Sequence, residues 1–148
     1  LVPDAPDAIT FNAGLDTLNH QSFLKSIISD FRVAGIRTSL FVEAEPQYIE
    51  GAKLIQTDRI ELYTESYAQH FATDKKQAVM PFLESAILAK ELGLGINAGH
   101  DLNLENLNYF ADSIPFLDEV SIGHALISDA LYLGLEKTVE SYKNCLKR

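Results

Sequence analysis

Two imidazoles in this chain each follow a glycine where an apolar run ends: Gly99-His100 closes GLGINAGH, and Gly123-His124 closes SIGH. Each run has the make-up of a buried parallel strand, and each pair stands just ahead of a helical pattern. That spacing puts both histidines at the C-terminal ends of consecutive strands. Ligands bind on this side of α/β folds, because loops and helix N-termini converge there. With a near-neutral reference pKa, His100 is suited to give or take a proton at physiological pH. The other reading of His100 is a core imidazole satisfied by a carbonyl. Gly123-His124 opens the last helical pattern, in the position where barrels hold phosphate after their seventh and eighth strands. It is otherwise a plain turn.

A carboxylate belongs with them. In RIELYTE, residues 59–65, Ile60 and Leu62 point one way and Glu61 and Tyr63 the other, and both faces of a parallel sheet are normally covered. Glu61 is therefore expected to be shielded from bulk water. It would act as a base, as a stabiliser of developing positive charge, or as the structural partner of a buried cation. No other strand interior offers a Lys or Arg for that last role.

The remaining candidates are weaker. His20 and His70 lie in polar, helix-flanking segments and read as surface residues, and Asp4, Asp7, Asp74 and Asp118 read as loop solvation or helix caps. No pair of His or Cys has metal-ligand spacing, so no metal is expected. Gly93-Leu94-Gly95 precedes its strand rather than following it, unlike a nucleotide fingerprint. Cys145 stands in the terminal helix without a motif.

Elements must deliver these groups to one place. Residues 1–3 read as the tail of a strand and 4–16 as a long loop. A helix over 22–34 shows an apolar face of Phe23, Ile27, Ile28 and Phe31 and stops at Gly35. Strand 37–43 follows, then a helix with Pro46 at its first position and Tyr48, Ala52 and Ile55 inward. After strand 59–65, a loop over 66–72 leads to a capping Thr73 and a long helix ending at Gly93, with Pro81 marking a kink or a fresh start. Asn103 caps a helix bearing Leu107, Phe110 and Ala111, which Pro115 ends. Strand 119–122 and one helix over 125–147, with Leu126, Ala130, Leu133 and Val139 inward, complete the chain.

Composition narrows the class. The 148 residues are 47% hydrophobic and 22% charged, enough for one ordinary core. A net charge of −9 with no basic cluster beyond Lys75-Lys76 argues against nucleic acid or an anionic membrane surface. Small anions stay possible through helix N-termini. One cysteine fits a reducing, cytoplasmic setting, and no run approaches the roughly 18 apolar residues of a membrane span. The opening Leu1-Val2-Pro3-Asp4, without Met, reads as a chain entered partway through an element.

The strand-helix rhythm fits either a doubly wound open sheet or part of a (β/α)₈ barrel, which needs about 200 residues or more. Resemblance separates the two. Leu1-Val2-Pro3, Gly14-Leu15-Asp16, Ser39-Leu40-Phe41, Ile60-Glu61 with Thr64 and Tyr67-Ala68, Gly93-Leu94, Asn97-Ala98-Gly99-His100 and Ile122-Gly123-His124-Ala125 together resemble the pyridoxine 5'-phosphate synthase family. They run from end to end in the family's order.

This resemblance implies a TIM barrel of which residues 1–148 are the C-terminal portion, from about the fourth strand to the eighth strand and final helix. It implies cofactor-free condensation of 1-deoxy-D-xylulose 5-phosphate with 3-amino-2-oxopropyl phosphate to pyridoxine 5'-phosphate, phosphate and water, by a homo-oligomer that is an octamer in the family. By position, His100 matches the family's proton donor and Glu61 its transition-state-stabilising carboxylate. Thr10 matches a contact to the deoxyxylulose phosphate, and Asp101, Gly123 and His124 match contacts to the amino ketone phosphate. Asp101 stands where the family often has Gly, and Glu65-Ser66 replaces a common Gly-Cys pair.

The family's first-strand Asp-His pair, the His and arginines after its second strand and the catalytic Glu of its third have no counterpart here. The chain alone is therefore expected to be inactive, and with open sheet edges to be insoluble or to associate. The alternatives are another barrel enzyme of phosphorylated sugars, which would want a Schiff-base Lys or a metal cluster at the strand ends, and a non-catalytic phosphate-binding module, which would tolerate loss of Glu61.

Overall fold

A computed structural model describes residues 1–3 and 13–147. Four parallel strands, β1 (Ser39–Val42), β2 (Arg59–Tyr63), β3 (Gly95–Gly99) and β4 (Glu119–Ser121), form one sheet in the order β1-β2-β3-β4. Sequence order equals spatial order, so no reversal point occurs among them. Right-handed crossovers that always step the same way leave every connecting helix on the same face. Packing agrees, because α1 (Gln21–Val33) rests on α2 (Pro46–Ile55), α2 on α3 (Glu65–Glu91), and α3 on α4 (Leu107–Ser113).

Alternation along the strands divides the sheet. Leu40, Val42, Ile60, Leu62, Ile96 and Ala98 face the helices and are buried with Ile28, Ile49, Ile55, Phe82 and Phe110 in one core. Truncating any of the large ones to Ala removes transfer energy and leaves a cavity, about 2–5 kcal/mol each. The opposite face carries Phe41, Arg59, Glu61, Tyr63, Asn97 and Glu119, a mainly polar set. Residues 1–3 lie along β1, with the Leu1 nitrogen donating to the Ser39 carbonyl (2.6 Å) and the Phe41 amide donating to the Leu1 carbonyl (3.0 Å). The expected strand tail is thus paired as a strand would be.

Most helix starts and stops fall where sequence puts them. Pro46 occupies the first turn of α2, and Gly35 and Gly93 follow α1 and α3 with left-handed backbones. Asn103 caps the turn that leads into α4 rather than α4 itself, whose own N-cap is Asn106. Asn103 Oδ1 accepts from the Glu105 and Asn106 amides, while Asn106 Oδ1 accepts from the Asn103 amide (2.9 Å), a reciprocal arrangement like a capping box.

Three expectations about the long helix need correction. Residues 66–72 are helical rather than a loop, since α3 begins at Glu65 directly after β2. Aromatic packing decides this: Tyr67 is fully buried against Phe71, Phe82 and Phe110. The long helix is interrupted at Asp74 (φ −152°, ψ 91°), not at Pro81. Asp74 Oδ1, not Thr73, accepts from the Lys76 and Gln77 amides and restarts the helix.

The terminal helix over 125–147 is two, α5 (His124–Leu133) and α6 (Leu135–Cys145), parted at Gly134. Gly134 has φ 81° and ψ 147°, a region essentially open to glycine alone. Leu126 packs on the core, but Leu133 and Val139 are exposed. On α1 the buried residues are Leu24 and Ile28, while Phe23 faces outward. Of the expected face, Ile28 is buried and Ile27 and Phe31 are partly covered, so only Phe23 departs from it, with Leu24 inward in its place.

Because the Asp74 carboxylate supplies the cap, Asp74→Ala is expected to cost about 1 kcal/mol and Thr73→Ala less than about half of that. Urea unfolding of the two variants measures the difference. Equal losses would count against Asp74 as the cap.

Candidate functional site

β2, β3 and β4 end side by side, and each delivers one group to the same rim. A cleft of about 490 Å³ opens there, lined among others by Glu61 from β2, His100 and Asp101 from the turn after β3, and Gly123 and His124 from the turn after β4. Five of the six residues singled out from the sequence thus border one space, although up to 63 positions separate them along the chain. Thr10 lies outside the described residues.

Glu61 reaches across the polar face toward β3. Its Oε1 would lie 2.3 Å from a Cβ on Gly99, and the Ser121 Cβ only 3.0 Å from it. An alanine methyl at position 99 would therefore displace the Glu61 carboxylate and press on the Ser121 Cβ. Burial raises the Glu61 pKa above the usual carboxylate value; the Ser121 hydroxyl pulls it partly back, and nearby Glu119 pushes it up. Glu61 is partly rather than wholly shielded.

Lower on the same face, Arg59 is engaged. Its guanidinium bonds Asp118 (3.0 Å) and Asn97 Oδ1 (3.1 Å), and Asn97 passes the chain on to Glu119 (3.2 Å). Glu119 also meets Arg37 at 2.9 Å. Arg59 shares the sheet face of Glu61 but spends its hydrogen bonds elsewhere.

His100 is held in an unusual backbone. His100 (φ 82°) and Asp101 (φ 59°) are consecutive non-glycine residues in left-handed conformations, each at a cost of about 1–2 kcal/mol for an L side chain. Asp is among the residues that tolerate this region, and the conformation explains why Gly suits position 101. The imidazole Nδ1 lies 3.2 Å from Asp101 Oδ2, and the Tyr63 ring stands edge-on to the imidazole, with centroids 4.7 Å apart at 87°. The Tyr63 hydroxyl donates to Glu65, and burial, with that bond, raises the phenol pKa. The sequence places Tyr63 on the face of Glu61 and shows Glu65 only as a departure from the family, and assigns neither a part in the site. Their period-two relation to Glu61 was the available signal.

Gly123 precedes α5, and His124 is its first residue, exposed at the cleft mouth. The sequence placed a helix start there, and α5 opens at that point. His20 and His70 are exposed, as expected. Cys145 closes α6, partly covered, with its thiol pKa raised by burial. Among the described residues, no group of three or more His, Cys, Asp or Glu is placed to hold a metal ion, and no helix is long and apolar enough to cross a membrane.

Sheet and cleft together define a parallel α/β protein whose ionisable side chains collect outside the carboxyl ends of its strands. The chain belongs to the PdxJ family: the family model described as pyridoxal phosphate biosynthesis protein PdxJ matches residues 1–148. Among similar proteins, the pyridoxine 5'-phosphate synthase of Cytophaga hutchinsonii is 60% identical over 148 residues, covering 100% of this chain and 62% of that protein. Those of Christiangramia forsetii and Bacteroides thetaiotaomicron are 58% and 57% identical over 147 residues, covering 99% of this chain and 62% of each. The chain thus spans 62% of the length of these curated relatives.

Burial of Glu61 has a pH consequence. A carboxyl whose folded pKa lies above its unfolded value keeps its proton longer when folded, so its ionisation opposes folding as pH rises through the unfolded pKa. Glu61→Gln is therefore expected to unfold at higher temperature than the parent at pH 7, with the gap closing on acidification below the ordinary carboxylate range. Thermal unfolding at pH 7 and pH 4 reads this, and an equal gap at both would contradict it.

Proposed function

We propose that this chain is the C-terminal portion of a single TIM-barrel domain, from the fourth strand through the eighth, of a pyridoxine 5'-phosphate synthase. Four strands in unbroken parallel order, a helix layer on one face and a polar opposite face support the barrel reading, because a barrel interior is lined by the face the helices do not cover. Residues 1–3, paired to β1, would be the end of the fourth strand. The strands completing the ring would pair with β4.

The reaction is condensation of 1-deoxy-D-xylulose 5-phosphate with 3-amino-2-oxopropyl phosphate to give pyridoxine 5'-phosphate, phosphate and water. The observation that carries this reading is the convergence of Glu61, His100, Asp101, Gly123 and His124 on one cleft in a chain of this family. An amine joining a ketone passes through an iminium, and each loss of water needs a proton delivered to a departing oxygen. His100 donates that proton, and the Glu61 carboxylate stabilises positive charge on nitrogen. Gly123, His124 and Asp101 hold the phosphate of the amino ketone, the first two at the opening of α5, where backbone N–H groups point outward. Thr10 contacts the deoxyxylulose phosphate.

Charge makes the rest of the protein necessary. Glu61 and Asp101 border the cleft, and Arg59 is committed to Asp118 and Asn97. Two phosphorylated substrates would meet a negative surface unless arginines arrive from the remaining part of the barrel. The chain alone is accordingly inactive, and the complete enzyme is a homo-oligomer.

In a chain extended to the length of its relatives, His100→Ala and Glu61→Gln are each expected to lower the condensation kcat by about 100-fold or more. Steady-state formation of pyridoxine 5'-phosphate measures this. Unchanged rates in both variants would remove the catalytic assignment, and turnover by the 148-residue chain by itself would refute the dependence on the missing part.

A further inference from the structure

We propose that Thr64 is a positioning residue for His100: its side-chain hydroxyl clamps the backbone turn that aims the imidazole into the cleft. The inference rests on the preceding reading of His100 as the proton donor.

Thr64 sits between β2 and α3 and is fully buried. Its amide donates to the Gly99 carbonyl (3.0 Å), continuing the β2-β3 pairing by one step. Its Oγ1 lies 2.9 Å from the same Gly99 carbonyl and in closer contact still with the carbonyl of His100. A hydroxyl carries one proton, so a single donor is shared between two successive carbonyls. The Gly99 carbonyl keeps the Thr64 amide if the hydroxyl is lost. What the hydroxyl alone supplies is the bond to the His100 carbonyl.

That carbonyl belongs to the first of the two left-handed residues. Such a conformation persists in a side-chain-bearing residue only where its surroundings over-determine it. The next carbonyl, of Asp101, accepts from Asn106 Nδ2 (3.2 Å), and Asn106 is fixed in turn by the Tyr67 hydroxyl on its own carbonyl (2.7 Å). Carbonyls 99, 100 and 101 are thus held in succession, and the Tyr63 ring walls the imidazole from the side. Without the hydroxyl the turn at His100 loses its side-chain tie to the end of β2, while the strand pairing through the Thr64 amide stays intact. A proton donor moved by about 1 Å loses on the order of 100-fold in rate.

The test uses a chain of the relatives' full length and compares Thr64→Val, of similar shape without the hydroxyl, with Thr64→Ser, which keeps it. Thr64→Val is expected to lower kcat by about 30-fold or more with KM within about twofold, and to shift the pH-rate limb belonging to His100. Thr64→Ser is expected to stay within about threefold of the parent. Wild-type kcat in Thr64→Val, or an equal loss in Thr64→Ser, would overturn the clamp. Should Thr64→Val fail to fold, Thr64→Cys, with a far weaker donor in nearly the same volume, decides by the same criterion. His100→Ala run alongside separates the two levels: an unchanged rate there refutes the proton-donor reading, whereas loss there with a normal Thr64→Val refutes the clamp alone.

Discussion

The pairing of β2 with β3 is the constraint from which the rest follows. Its register sets Ile60 against Ile96 and Leu62 against Ala98 on the helix side, and Glu61 against Asn97 and Tyr63 against Gly99 on the other. A strand has a side-chain period of two, so a slip of one residue would bury Glu61 among the helices and turn Ile60 and Leu62 toward the polar face. Core and cleft are therefore specified by one and the same set of backbone bonds. Glu61 needs the space over Gly99, and His100 needs the turn that starts there. Both conditions hold only in this register.

Periodicity in the sequence was enough to locate all four strands, and their alternation foretold which face would carry Glu61. The glycine-histidine pairs located the cleft, because a glycine at a strand end signals either a turn or a close approach and here does both in turn. The 66–72 segment was not legible in the same way. Its residues carry no strong helix signal, and what makes them helical is Tyr67 meeting Phe71, Phe82 and Phe110, the last from a segment more than forty residues away. Gly134 failed as a signal for a different reason. A glycine inside a helix costs only about 1 kcal/mol, so apolar spacing on both sides outweighs it in a sequence reading, whereas the chain uses it to turn. The clamp at Thr64 was equally hidden, since a threonine after a strand gives no hint of which carbonyls its hydroxyl will reach.

Electrostatics ties the local geometry to the larger protein. Strand ends are usually where positive potential gathers, and here the described rim gathers carboxylates instead: Glu61, Asp101 and Glu65. An acidic rim of this kind repels phosphate unless cationic groups stand beside it. The described rim thus gathers ionisable side chains whose only acidic members are carboxylates, with the imidazoles of His100 and His124 beside them.

No residue of α5 is buried, and Ile127, Leu131 and Tyr132 stand in the open. That helix leans chiefly on α6 through the bend at Gly134. It carries His124 at its first residue. One wall of the cleft is thus joined to the sheet by a single turn and braced from behind by α6, so the placement of His124 depends on a contact made at the far end of its own helix.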